Sequence, residues 1–117
     1  MKYPNAFNII TFCALLLYTV ATAAQGPALL YNNGARVFVN PGAVMIVKTN
    51  SIQNEVGRID NGGTIIVEED ILNNDLITGN NTTGTFDLYG DWINNADFTA
   101  DQSAVNLLGA DQLISGA

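Results

Sequence analysis

Histidine is absent from the 117 residues, and only four lysines and arginines stand against eleven aspartates and glutamates. Without histidine the chain lacks the side chain that titrates near neutral pH and the commonest metal ligand. With so few cations as well, the residue sets for general acid–base and nucleophilic catalysis are nearly empty. Cysteine occurs once, as Cys13 in an apolar stretch near the start, so the residues beyond it can form no disulfide among themselves and offer no thiol chemistry. A formal net charge of −7 is repelled by phosphate backbones and anionic lipids, which argues against nucleic acid as a partner. The same acidity suits a soluble extracellular surface kept from self-association by charge. Helical periodicity is also missing after the first two dozen residues.

The one long apolar run, Phe7 to Val20, follows a lone Lys2 and leads into the small residues "ATAAQG". This layout predicts a signal peptide over residues 1–24, cleaved after Ala24 or Ala23, with export through the Sec pathway to a secreted or cell-surface location. A membrane anchor needs about 20 uninterrupted apolar residues, and no basic stop signal follows this shorter run, so no membrane association is expected after cleavage. Cys13 lacks the small-residue setting of a lipoprotein site and leaves with the peptide. The mature chain then keeps Arg36, Lys48 and Arg58 against eleven acids, a net charge of 3 − 11 = −8.

What the rest of the chain has is a repeat. "GTFDLYGDWINN" (Gly84 to Asn95) restates "GTIIVEEDILNN" (Gly63 to Asn74) 21 residues later. Gly, Asn, Asp and Thr interrupt short apolar segments throughout, and "NPG", "DNGG" and "GNNTTG" are turn chemistry. Four alternating segments follow these turns: "AVMIVK", "TIIVEE", "TFDLYG" and "AVNLLG". In register they give one inward column of Met45, Ile65, Phe86 and Val105 and a second of Val47, Val67, Leu88 and Leu107. The residues between point outward, because strand side chains alternate faces. A third column, Ile52, Leu72 and Ile93, is read from "SIQNEV", "ILNNDL" and "WINNADF", followed by the amide pairs Gln53-Asn54, Asn73-Asn74 and Asn94-Asn95.

A period of about 20 residues with apolar columns specifies a unit that must stack to bury its face. The expected fold is therefore all-β, a single-stranded parallel β-helix, right-handed by the rule for parallel crossovers. Residues 25–34 are expected to form an N-terminal cap or linker. Coils are expected near 35–62, 63–83, 84–102 and, incomplete, 103–117. The competing outcome is an antiparallel hairpin at "DNGG", since Asn-Gly is also a strong hairpin signal. The stacked amides are expected to form a ladder or to serve turns.

Candidate sites are few. Asp70 and Asp91, aligned with Asn50, are the carboxylates that could hold calcium or serve a glycosidase or lyase, while an Asx-turn accounts for the same residues without a substrate. No calcium-loop or nonapeptide motif occurs. Tyr89 and Trp92, with Phe98, could form a sugar-stacking platform or fill the core. The acceptor patterns at Asn80 and Asn81 are read only as an exposed loop.

The blocks "VFVNPGAVMIV", "IDNGGTIIVEEDILNN", "GTFDLYGDWINNADFTA" and "SAVNLLGADQLISG" resemble repeats near the start of large secreted surface proteins of the Bacteroidota. That resemblance spans residues 33–116. It implies a β-solenoid region of type IX secretion cargo, although the distal sorting domain of such proteins is not seen in this chain. The expectation is a non-catalytic structural or adhesive segment without a required cofactor, whose partners are copies of itself stacked end to end or surface glycans. The alternatives are a carbohydrate-binding module and, further off, a polysaccharide lyase or glycosidase of β-helix fold. No capping element is visible after the last coil, so continuation of the stack by further residues or by another copy is expected.

Overall fold

The computed structural model describes residues 30–117. Residues 1–29, with the expected signal peptide and residues 25–29 of the expected cap, lie outside the described residues. The described residues form eleven strands: β1 (Leu30–Val39), β2 (Val44–Val47), β3 (Ile52–Asn61), β4 (Thr64–Val67), β5 (Ile71–Asn73), β6 (Leu76–Thr78), β7 (Thr85–Leu88), β8 (Trp92–Asn94), β9 (Asp97–Thr99), β10 (Ala104–Leu107) and β11 (Ile114–Ser115). Every strand pairing is parallel. No helix occurs among the described residues, and the fold is an all-β solenoid of about four turns with coils of about 21 residues.

One sheet runs β2-β4-β7-β10, one strand per coil. Its register sets Met45, Ile65, Phe86 and Val105 side by side, and likewise Val47, Val67, Leu88 and Leu107. Ile65, Val67, Phe86 and Leu88 are fully buried, so the two inward columns read from alternation are those of the core. Each such side chain contributes roughly 1.5–3 kcal/mol of transfer free energy relative to exposure. The other sheet joins β5-β8-β11 and β6-β9 through the long β3, with β1 beside it. It adds an inward column that sequence inspection did not identify, Val37, Ile59, Ile77 and Phe98.

The third expected column is corrected by one residue. Ile52 pairs with Ile71, which pairs with Trp92, and Trp92 pairs with Ile114; Leu72 and Ile93 stand opposite Gln53 instead. The reason is the corner before it. Residues 48–51 separate β2 from β3, but only 68–70 and 89–91 separate the equivalent strands above. The extra residue is absorbed where Thr49 takes φ 54°, and a constant offset carried past that corner inverts the faces. The boundary near residue 35 also moves. Leu30 already pairs with Ile52, so residues 30–34 belong to the first coil rather than to a cap or linker.

The turns follow two different rules. At "NPG" the Ala43 N–H donates to the Asn40 carbonyl at 2.9 Å and Gly42 has φ 80°, the type II geometry that Pro then Gly favours. At "DNGG" no hairpin forms: β3 ends at Asn61, and the chain bends through Gly62 and Gly63 into β4, in the other sheet of the same coil. Glycine is needed there for space, since a Cβ on Gly63 would lie 2.3 Å from the Ala43 carbonyl oxygen in the coil below.

Candidate functional site

Inside the solenoid, polar side chains bond from coil to coil. Asn32 donates through Nδ2 to Asn54 Oδ1 at 2.8 Å, Asn54 to Asn73 at 2.9 Å, and Asn73 to Asn94 at 2.8 Å. Asn54 and Asn73 are fully buried. Their remaining protons reach backbone carbonyls of Leu76 at 3.1 Å and Asp97 at 2.9 Å. Each rung therefore also holds the start of the strand that follows the bend in the next coil. The expected ladder is present, shifted by one residue from the expected alignment, because Asn54 rather than Gln53 stands opposite Asn73, and it begins one coil earlier, at Asn32.

A second, outer ladder runs beside it. Asn95 donates to Asn74 Oδ1 at 2.8 Å, and Asn74 donates to Glu55 Oε2 at 2.8 Å. Gln53 also donates to Glu55 at 3.0 Å. Hydrogen bonds from Gln53 first and Asn74 second hold the Glu55 carboxyl below the ordinary glutamate range, because both stabilise its charged form. Among the described residues no buried side-chain nitrogen or oxygen lacks a partner.

Asp70 and Asp91 are placed one coil apart, but Asp70 lies beside Ser51 rather than Asn50, again because of the extra corner residue. The Asp91 N–H donates to Asp70 Oδ1 at 2.8 Å, and the Leu113 N–H donates to Asp91 Oδ1 at 2.8 Å. Each carboxylate therefore satisfies a backbone donor of the next coil, which replaces the within-turn role expected for it. Among the described residues no group of three or more His, Cys, Asp or Glu side chains comes together to hold a metal ion.

The aromatic candidates part company. Trp92 is 6% exposed, because its place above Ile52 and Ile71 turns it inward. It meets Phe98 with ring centroids 4.8 Å apart and Phe86 at 5.8 Å, both edge-on. Of the two readings open for these aromatics, Trp92 and Phe98 take the core one, so Trp92 is not a glycan contact beside Tyr89. Tyr89 is 48% exposed. It lines a shallow groove of about 530 Å³ on the outside of the β2-β4-β7 sheet, with Ile46 and Ile66 as floor and Lys48, Glu68 and Glu69 as polar rim. The outward alternation of β2 and β4 places both isoleucines there, and Tyr89 follows directly after β7. In the loop after Gly79, Asn80 and Asn81 take φ 52° and 54°, and Asn81 is exposed as expected.

One charged cluster escaped inspection of the sequence. Asp60 on β3 is fully buried, yet it points to the outer side of its strand, where Arg36 and Arg58 close over it. The trace it leaves in the sequence is the pair "ARVFVN" and "GRIDNG", in which an arginine precedes the same alternation. Comparisons with protein-family models, curated proteins and solved structures returned no match.

Proposed function

We propose that this chain is a non-catalytic, structural or adhesive β-solenoid segment of a secreted or cell-surface protein, exported through the Sec pathway. The observation that carries this reading is where the polar side chains go. Asparagines 32, 54, 73 and 94 run as a ladder through the stack, and the two candidate catalytic carboxylates each accept a backbone N–H from the next coil. Such bonding makes a stiff spacer, and the repeat blocks that resemble type IX secretion cargo of the Bacteroidota support the same role. Copies stacking end to end, or glycans on a surface, are the partners this role implies. The decisive experiment incubates the full chain with a panel of polysaccharides and measures released reducing ends and unsaturated products. No release is expected; any turnover would overturn the non-catalytic reading, and its loss or survival in Asp70→Asn and Asp91→Asn would tell whether those carboxylates carry it. N-terminal sequencing of the exported product is expected to begin at Gln25 or Ala24.

A second reading, a carbohydrate-binding module, is favoured by one observation, the groove in which Tyr89 stands beside an aliphatic floor and a rim of both charge signs. Binding on a glycan array that is lost in Tyr89→Ala would establish it.

A further inference from the structure

The two arginines of the described chain stand next to each other. Arg36 on β1 and Arg58 on β3 are register partners, one strand spacing of about 4.8 Å apart. Arg36 Nε donates to Asp60 Oδ2 at 2.5 Å and Arg58 Nε to Asp60 Oδ1. One carboxylate thus sits beneath two guanidinium groups, which leaves one positive charge on an otherwise acidic molecule. Their side chains are 62% and 44% exposed, whereas that of Asp60 is 0% exposed. Among the described residues only the Nε atoms bond to a protein acceptor, so the Nη groups face solvent as donors held in place from below.

A buried carboxylate needs a cation above it, and one arginine would meet that need. The second arginine, oriented by the same carboxylate, is what a purely structural account leaves over. Phe38, the register partner of Asp60, is 44% exposed, and the Arg36 guanidinium carbon lies 5.5 Å from its ring centroid. One face of the ring thus carries the guanidinium, and the ring surface that stays exposed adjoins oriented anion donors. Along the arginine column the next residue is Leu76 and only then Asp97. Nearer by, Asp75 commits one oxygen to the Gly57 N–H at 2.7 Å.

We propose that Arg36, Arg58 and Phe38 form a binding site for an anionic sugar, with the guanidinium Nη groups taking a carboxylate or sulfate and the phenyl ring taking the apolar C–H face of the pyranose. Guanidinium groups present paired donors that match such planar or tripod oxyanions. The site lies on a different sheet from the Tyr89 groove; it deepens the adhesive reading by naming a class of surface glycan, and it does not depend on that groove.

The test is affinity electrophoresis of the full chain at neutral pH in gels containing polygalacturonate, dextran sulfate or neutral dextran. An acidic protein without a local site is repelled by both polyanions and runs unretarded. Retardation by polygalacturonate, by dextran sulfate or by both, with none by neutral dextran, is expected and identifies the anion. Arg36→Gln, which leaves Arg58 to pair with Asp60, should weaken retardation roughly tenfold, the effect of losing one charge-assisted contact. Phe38→Ala should weaken it less while leaving both arginines in place. The combined variant Arg36→Gln, Arg58→Gln, Asp60→Asn removes the charges together, so that no carboxylate is left buried alone, and should abolish retardation. The proposal fails if neither polyanion retards the wild-type chain, if neutral dextran retards it equally, or if Arg36→Gln and Phe38→Ala, each with an unchanged melting transition, bind as the wild type does.

Discussion

The middle and the last coil of this solenoid carry the same kinds of residue at the same register positions, yet they differ in burial. Leu88 is completely buried, whereas Leu107, its partner one coil on, is 39% exposed; Trp92 is 6% exposed and its partner Ile114 is 64% exposed. Nothing in the local sequence makes this difference. A residue of a middle coil has a neighbour above and below, and each covers about half of its apolar contacts. Core membership in a stack is therefore a property of position along the axis as much as of residue type. At the last coil, Trp92, Phe98, Val105, Leu107 and Ile114 line an apolar hollow, the surface on which another coil of any origin would rest.

The largest expected contrast comes from placing a charge in equivalent positions. Leu88→Asp should destabilise by at least about 4 kcal/mol and leave the chain unfolded, since it buries an unpaired carboxylate. Leu107→Asp, with solvent within reach, should cost well under half of that. Thermal or urea melts of the two full-length variants decide the matter, and equal losses would mean that the last coil is covered in solution. Sedimentation across a concentration series would then distinguish a second copy, the end-to-end partner proposed above, from a monomer.

The asparagine ladder offers a finer version of the same contrast. Asn73→Ala should cost about 3 kcal/mol because it strips the hydrogen bonds from Asn54 Nδ2 and Asn94 Oδ1 and from the Asp97 carbonyl at the start of β9. Asn94→Ala removes the acceptor of Asn73 and a donor to Ala96, and about 1 kcal/mol is expected. Equal effects would show that the rungs do not act cooperatively from the middle outward.

Outside the stack the effects should shrink further. Glu68→Lys gives up the Glu68 Oε2 acceptor for the Thr49 N–H, which water can replace, and a change within about 0.5 kcal/mol is expected. A large loss would place β4 the other way round. Smallest of all is the titration of Glu55. Its folded carboxyl is held below the ordinary range, so its contribution is present above the ordinary glutamate value and disappears as pH falls through the depressed one. An NMR titration should find that depression, and Gln53→Ala and Asn74→Ala should each move the value back upward.

These contrasts also show which features could be read in advance. The columns through Met45 and Val47 were legible because four short segments each alternate with period two after a recognisable turn. The asparagine ladder was legible as stacked amides. Legibility failed where a corner changed length: the extra residue in 48–51 shifted Ile52, Asn54 and Asp70 by one relative to their partners. With that shift Trp92 joins the inward column of Ile52 and Ile71, and Asp70 stands beside Ser51 rather than Asn50. The Arg36, Asp60 and Arg58 cluster was missed for another reason. It lies on the long strands β1 and β3, which precede the part of the chain where the repeat is plain.

Strand character, the inward face of each short segment and the need to stack were settled by local alternation and turn chemistry, since these depend on residues within about six positions of one another. Which side chains meet between coils was settled only by the folded stack. Burial of Asp60 beneath Arg36, the turn of Trp92 into the core above Ile71 and the exposure of Ile114 above Trp92 all depend on partners about 20 residues away. A single residue added at one corner resets every such partnership beyond it, because a strand has only two faces and a shift of one exchanges them.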